Sequence, residues 1–261
     1  SFTAGTGLNG TFVSGPAGTG TLTMGAGTTI YGDGTTRTLA NTVVFSGQPL
    51  FDAYTTTASS LVINGTSTFN GGNALTVNVA NPYLTATFQG PVTNIASLTS
   101  VTKTGAGNFG FNFTGYGAAA PITINGGGTF TVIADGSGSV VSETINLGAL
   151  TTDAALPAIA VGSSGQTILW NQPVNKTVSF ASISGALPNG LSITNSNQYG
   201  LLVADNITLS STQGPTGPSF TVATATTSTI NPGLTLGGVL SGGSTGSAAV
   251  VLTKAGAGTL V

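Results

Sequence analysis

The chain contains no cysteine and no histidine, and only 4% of its 261 residues are charged. Without cysteine there is no disulfide framework, no thiolate metal site and no thiol nucleophile. Without histidine the commonest general base and metal ligand is missing. Charged residues make up roughly a quarter of an average soluble domain, so the usual mixed-charge surface is absent as well. The formal net charge of −2 gives no electrostatic reason to expect nucleic acid or an acidic membrane as a partner. No apolar run reaches the ~18 residues that read as a membrane-spanning helix. Helical periodicity is nearly missing, and no stretch looks like a crossover helix, which sets a doubly wound α/β architecture aside. No basic n-region stands at Ser1, which leaves two readings: a removed signal peptide, or a window from a longer chain.

What the chain does have is alternation. Hydrophobic residues make up 39% of it, enough for a real core, and 41 glycines supply turns. Ser and Thr make up roughly a quarter of the chain. Short segments such as "GTLTM" (20–24), "NTVVF" (41–45), "ALTVNV" (74–79), "LTATF" (84–88) and "GTFTVI" (128–133) alternate apolar and polar residues between Gly, Asn or Pro. That is the strand-and-turn signature of an all-β protein.

A sandwich or barrel and a parallel β-helix both satisfy this pattern, and self-similarity chooses between them. The stretch "SVTKTGAGNFGF" (100–111) is nearly repeated at the end of the chain as "VVLTKAGAGTLV" (250–261). The unit "VTKTGAGNFGFNFTGYGAAAPITINGGGTFTV" (101–132) resembles the autotransporter-associated β-strand repeat of long secreted bacterial surface proteins, and 233–261 matches it in part. The resemblance implies a right-handed parallel β-helix, and an extracellular or cell-surface location. Gly105–Gly107 and Gly256–Gly258 are expected to take positive φ where one coil turns into the next, and Lys103 and Lys254 to be solvated turn residues.

Between Ala154 and Thr227 the prolines cluster and the sole tryptophan, Trp170, occurs. "VSFASISGALPNGLSITNSNQYGLLV" (178–203) and "SFTVATA" (219–225) resemble an immunoglobulin-like module of bacterial surface proteins, through Gly185, Leu187, Pro188, Gly190, Leu191 and Ser192, then Phe220, Thr221, Val222 and Ala223. The expected organisation is therefore a parallel β-helix over 1–153, an inserted immunoglobulin-like β-sandwich over 154–227, and a β-helix continuation over 228–261. The expected core of the module includes Trp170, Phe180, Leu191, Leu202 and Val222.

The chemistry-bearing residues are few: Asp33, Asp52, Asp135, Glu143, Asp153 and Asp205, with Arg37, Lys103, Lys176 and Lys254. Asp33 and Asp52 lie about one coil apart and could stack on one face, with Arg37 close by, but turn aspartates explain them better. We expect no catalytic, cofactor-binding or metal site, and no enzyme activity. The five Asn-x-Ser/Thr sequons, at Asn9, Asn64, Asn112, Asn175 and Asn206, are as many as this composition gives by chance.

The terminal copy of the repeat stops half-way, and the N-terminus reads like its missing half. Phe2–Thr3 fall where Phe113–Thr114 lie in the complete copy, and Thr21–Thr23 where Thr129–Thr131 lie. Residues 1–32 carry no charge and 206–261 only Lys254, so the open strand edges lack the usual guards. Separate subunits stacking head to tail, one period of a longer chain, or a domain lacking its cap all fit. In the first case Phe2, Thr3, Thr11, Phe12, Val13, Thr259, Leu260 and Val261 form the assembly interface, and the partner is a further copy of the chain. An adhesin fragment binding a surface or matrix ligand through the inserted module is the alternative. A β-helix enzyme acting on polysaccharide ranks last.

Overall fold

The computed structural model describes residues 20–113, 120–133, 142–153, 158–162, 175–185, 191–195, 199–205, 207–209, 219–222, 234–242, 253–255 and 260–261. The described strands wind in a repeating circuit. The first coil runs through β1 (Leu22–Met24), β2 (Thr29–Gly32) and β3 (Thr36–Leu39). The second runs through β4 (Val43–Phe45), β5 (Leu50–Ala53) and β6 (Ser59–Ile63), and the third through β7 (Ser67–Phe69), β8 (Ala74–Val79) and β9 (Leu84–Phe88). Two coils then supply two described strands each, β10 (Ser100–Thr104) with β11 (Asn108–Asn112), and β12 (Ile122–Ile124) with β13 (Thr129–Ile133). Three-strand coils resume with β14 (Ser142–Leu147), β15 (Leu150–Thr152) and β16 (Ala158–Gly162), then β17 (Asn175–Phe180), β18 (Ile183–Gly185) and β19 (Leu191–Asn195). The last two are β20 (Tyr199–Val203), β21 (Ile207–Leu209) and β22 (Ser219–Val222), then β23 (Leu234–Leu236), β24 (Leu240–Gly242) and β25 (Thr253–Ala255).

Each strand pairs in parallel with its counterpart one coil away, and this makes the molecule an all-β parallel solenoid. Side two, from β2 to β24, and side three, from β3 to β25, are each nine strands deep among the described residues. At about 4.8 Å per strand that is a stack of about 38 Å. Side one is a three-stranded sheet of β1, β4 and β7 at the start and a four-stranded sheet from β14 to β23 later. Between them a short 3-10 turn at Ile95–Ser97 takes part of the path. Coil lengths vary from 21 residues, as from Val101 to Ile122, to 34, as from Ile159 to Ile193.

The period-2 alternation fixes which residues fill the interior. In β9, Leu84, Ala86 and Phe88 are buried while Thr85 and Thr87 face out, and β6, β8 and β10 follow the same rule. In-register pairing then stacks the inward residues in columns, such as Leu75, Val101, Ile122, Leu150 and Ile183. Phenylalanines form the densest part. Phe88 touches the rings of Phe45, Phe51, Phe69, Phe109 and Phe111 at centroid distances of 5.3–6.0 Å, mostly edge to face.

The corner between sides two and three requires glycine for two different reasons. Gly105 has φ +81°, as expected, and a Cβ there would also lie 2.3 Å from the Val79 carbonyl oxygen one coil away. Gly107 is a glycine because of close approach instead: a Cβ would lie 2.5 Å from the Asn81 carbonyl oxygen. Gly256–Gly258 lie outside the described residues.

The inserted immunoglobulin-like sandwich is not seen. Across 154–227 the described strands continue the ladders of the coils before them, with β16, β19 and β22 successive members of side three, all parallel. Phe180 belongs to the common solenoid core, and Leu202 faces outward between buried Leu201 and Val203. Trp170 lies outside the described residues. The coils here are longer, up to 34 residues, while the described strands keep their register.

Phe88→Ala should destabilise the solenoid by roughly 3–5 kcal/mol, because five ring contacts are lost and a cavity is left. Gly105→Ala should destabilise it by more than ~1–2 kcal/mol, since the positive φ and the backbone clash add. Denaturant unfolding of both variants against wild type measures this. A change near zero for either would mean that the corner or the ring cluster relaxes freely.

Candidate functional site

Lys103 is inside the molecule. It takes the inward phase of β10, in register with Val77 on one side and Ile124 on the other, and its side chain is 0% exposed. The four-carbon stem continues an apolar column, and the ammonium donates to the carbonyl oxygens of Gly105 and Gly127 at the glycine corner. Burial lowers its pKa to about 8, while the charge of Asp153 pulls it back up. Asp153 also accepts a hydrogen bond from the Gly126 amide at 2.7 Å, so the same corner is held from both sides. The expectation of a solvated turn lysine is therefore corrected. Its counterpart Lys254 is exposed and stands on side three, in register with Phe220, so the two T-K-x-G-A-G copies occupy different sides of the solenoid.

A second cluster lies at the same corner three coils earlier. Asp33 Oδ2 accepts from Arg37 Nη2 at 2.6 Å and from Nε at 3.0 Å, and Asp33 Oδ1 accepts from the Thr35 hydroxyl at 2.7 Å. The Arg37 and Thr35 hydrogen bonds hold the Asp33 carboxyl down at about 2. It is a turn aspartate, committed to its own loop. Asp52 lies within strand β5, opposite Tyr31 in the register, and its Oδ1 accepts from the Ala53 amide at 2.8 Å. The two carboxylates are thus neighbours in the solenoid without facing each other across the register.

Tyr31 and Tyr54 stack with centroids 4.0 Å apart, and Tyr54 is 61% exposed. Desolvation, then Tyr31, then the Asp52 charge raise the Tyr54 pKa, so its hydroxyl stays protonated. Tyr83, exposed one coil further on, is tied to the same corner through Asn81, whose amide donates to the Ala53 carbonyl at 2.9 Å. Sequence reasoning missed this grouping because the three tyrosines are more than twenty residues apart and only the register brings them to one corner.

Of the expected assembly residues, Leu260 and Val261 are described. Leu260 bridges in parallel to Leu234, the Val261 amide donates to the Leu234 carbonyl at 2.9 Å, and the Leu236 amide donates to the Val261 carbonyl at 2.8 Å. The end of the chain therefore adds to side one beyond β23. Phe2, Thr3, Thr11, Phe12, Val13 and Thr259 lie outside the described residues. Among the described residues, Val239, Leu240 and Val261, at 66%, 37% and 65% exposure, are three of five exposed large hydrophobic residues; the first two lie on the last coil and Val261 one rung beyond its β23. No helix among the described residues is long and apolar enough to cross a membrane.

Comparison with protein-family models, with curated proteins and with solved structures finds nothing that matches the chain.

The buried lysine makes a pH prediction. Below about pH 8 the folded state carries the full penalty of an ammonium taken out of water. Between about 8 and 10.5 the unfolded chain still binds that proton while the folded one has released it, so stability rises with pH. The gain across this window should be on the order of 3 kcal/mol. Lys103→Met should flatten the rise, measured as the wild-type minus variant difference in urea midpoints from pH 7 to 10.5, which removes the tyrosine contribution common to both. Parallel curves would place the ammonium in water.

Proposed function

We propose that the chain is an extracellular structural protein of a cell surface whose solenoid stacks head to tail on further copies of itself. The observation that carries this reading is the last coil. There β24 and β25 stand last in sides two and three among the described residues, Leu260–Val261 extend side one, and Val239, Leu240 and Val261 are each exposed. An edge of that kind is a template for a further parallel strand.

The circuit supports the same reading. Leu260 stands on side one, and so does Leu22 in β1, the first described strand. A copy stacked with its own β1 against this coil would continue the same circuit. Such a contact joins unlike ends, and a heterologous contact that does not close builds a filament. The extracellular setting follows from the charge-poor, hydroxyl-rich composition and from the resemblance of 101–132 to secreted surface repeats. The reading includes no catalysis, because Asp33 is committed to Arg37 and Thr35, and Lys103 to two backbone carbonyls.

Covering Val239, Leu240 and Val261 contributes roughly 3–5 kcal/mol before association entropy is subtracted. With so little charge, elongation should depend weakly on salt. Leu240→Lys with Val261→Lys should abolish elongation and leave the circular dichroism spectrum unchanged, because both side chains are exposed in the single copy. Electron microscopy and sedimentation of both proteins test this. Filaments of the double variant, or a wild type that stays monomeric at high concentration, would overturn it.

A further inference from the structure

Side two carries an outward column that is hydroxyl at every rung from β8 to β18. Thr76 pairs with Thr102, Thr102 with Thr123, Thr123 with Thr151, and Thr151 with Ser184. The same register position continues through residue 208 to Ser241. Their neighbours Leu75, Val101, Ile122, Leu150 and Ile183 point inward, which fixes the column on the outer surface. Asp52, one coil earlier and opposite residue 80 rather than Thr76, is the one charged residue facing outward from a side-two strand among the described residues.

The hydroxyls of Thr76, Thr102 and Thr123 make no hydrogen bond within the described residues, and the contact from Thr151 to Ser184 is long, at 3.4 Å. Hydroxyls one rung apart bond only where their rotamers converge, and those of Thr76, Thr102 and Thr123 do not. The surface is thus a row of donors and acceptors at fixed spacing, with threonine methyls between them. Elsewhere the fold does satisfy such groups: the Thr68 and Thr93 hydroxyls on side one meet at 2.7 Å.

We propose that this column is a lateral docking surface for the same column of a second copy, so that solenoids associate side by side. The proposal deepens the assembly reading and rests on it. The period selects the partner. A ligand that engages five or more rungs must itself repeat at the strand spacing, and the surface of an ordinary globular protein does not. A second copy repeats at that spacing without adjustment, and a hydroxyl both donates and accepts, so the column is complementary to itself. A two-fold contact of this kind is isologous and closes at two copies. No charge on the column has to be desolvated, which removes the largest cost of burying a polar face.

Thr102→Lys with Thr151→Lys places two like charges on the column, and Thr102→Val with Thr151→Val removes the hydroxyls while keeping the shape. Sedimentation velocity and electron microscopy of wild type, both column variants and Leu240→Lys with Val261→Lys separate the two contacts. We expect paired filaments for wild type, single filaments for both column variants, and short side-by-side dimers for the end variant. Wild-type filaments that remain single, or column variants that pair like wild type, would overturn the lateral contact. Loss of filaments with side-by-side dimers retained in every protein but the column variants would overturn the stacking reading and leave the lateral contact standing. Wild type that does not self-associate but sediments with insoluble chitin or cellulose, with the valine variant losing that binding, would assign the column to a glycan and overturn the proposal.

Discussion

In-register pairing of parallel backbones is the constraint on which everything else here depends. Once β10 hydrogen-bonds to β8 and β12 with no slip, every residue of one coil is set on its counterpart in the next. A one-residue slip would turn all inward side chains out, so the apolar columns hold the register and the register builds the columns. The same rule produces the ring cluster around Phe88, the stacked glycine corner at Gly105 and Gly126, and the hydroxyl column on side two. None of these is a local motif. Each is a single residue choice repeated by stacking.

Lys103 is where that rule meets polar chemistry. The tight corner leaves the carbonyls of Gly105 and Gly127 turned toward the interior, and a buried carbonyl without a donor costs about 1–3 kcal/mol. A lysine in the column answers both with one side chain, and its stem costs little because it packs between Val77 and Ile124. The charge remains expensive, which is why burial lowers the pKa and why the Asp153 charge nearby matters. The corner is thus stabilised through hydrogen bonding at the expense of desolvation, and removing the lysine would leave the carbonyls unanswered.

The strands were legible in the sequence and the circuit was not. "LTATF" and "ALTVNV" fall on β9 and β8 residue for residue, because alternation between turn residues is a local signal. Which side a strand joins depends on coil length, and that ranges too widely to be read from spacing. The two T-K-x-G-A-G copies show the consequence: β10 lies on side two with its lysine buried, whereas β25 lies on side three with Lys254 exposed. Resemblance at the level of a hexapeptide therefore did not carry the orientation of its lysine. The expectation of an inserted sandwich arose the same way, because prolines and longer coils changed the local texture while β16, β19 and β22 kept their place in the ladder. At the candidate assembly end, the apolar character of Leu260 and Val261 was legible, but their pairing to Leu234 was not.

A solenoid is stabilised mainly by contacts between nearest coils, so its last coil is always short of one neighbour. In the assembly proposed here the two directions of growth are coupled by that geometry. A single copy offers the side-two column over a limited number of rungs, each contributing little. Stacking a second copy on the last coil would lengthen the column without altering its period, and the lateral contact would then be made by linked units whose second engagement is intramolecular. Lateral pairing in turn would hold adjacent copies in line and slow their separation at the Leu240 and Val261 edge. Neither contact needs to be strong alone. A chain with 4% charged residues has few means of opposing either one: the column from Thr76 to Ser184 carries no charge, and the last coil only Lys254.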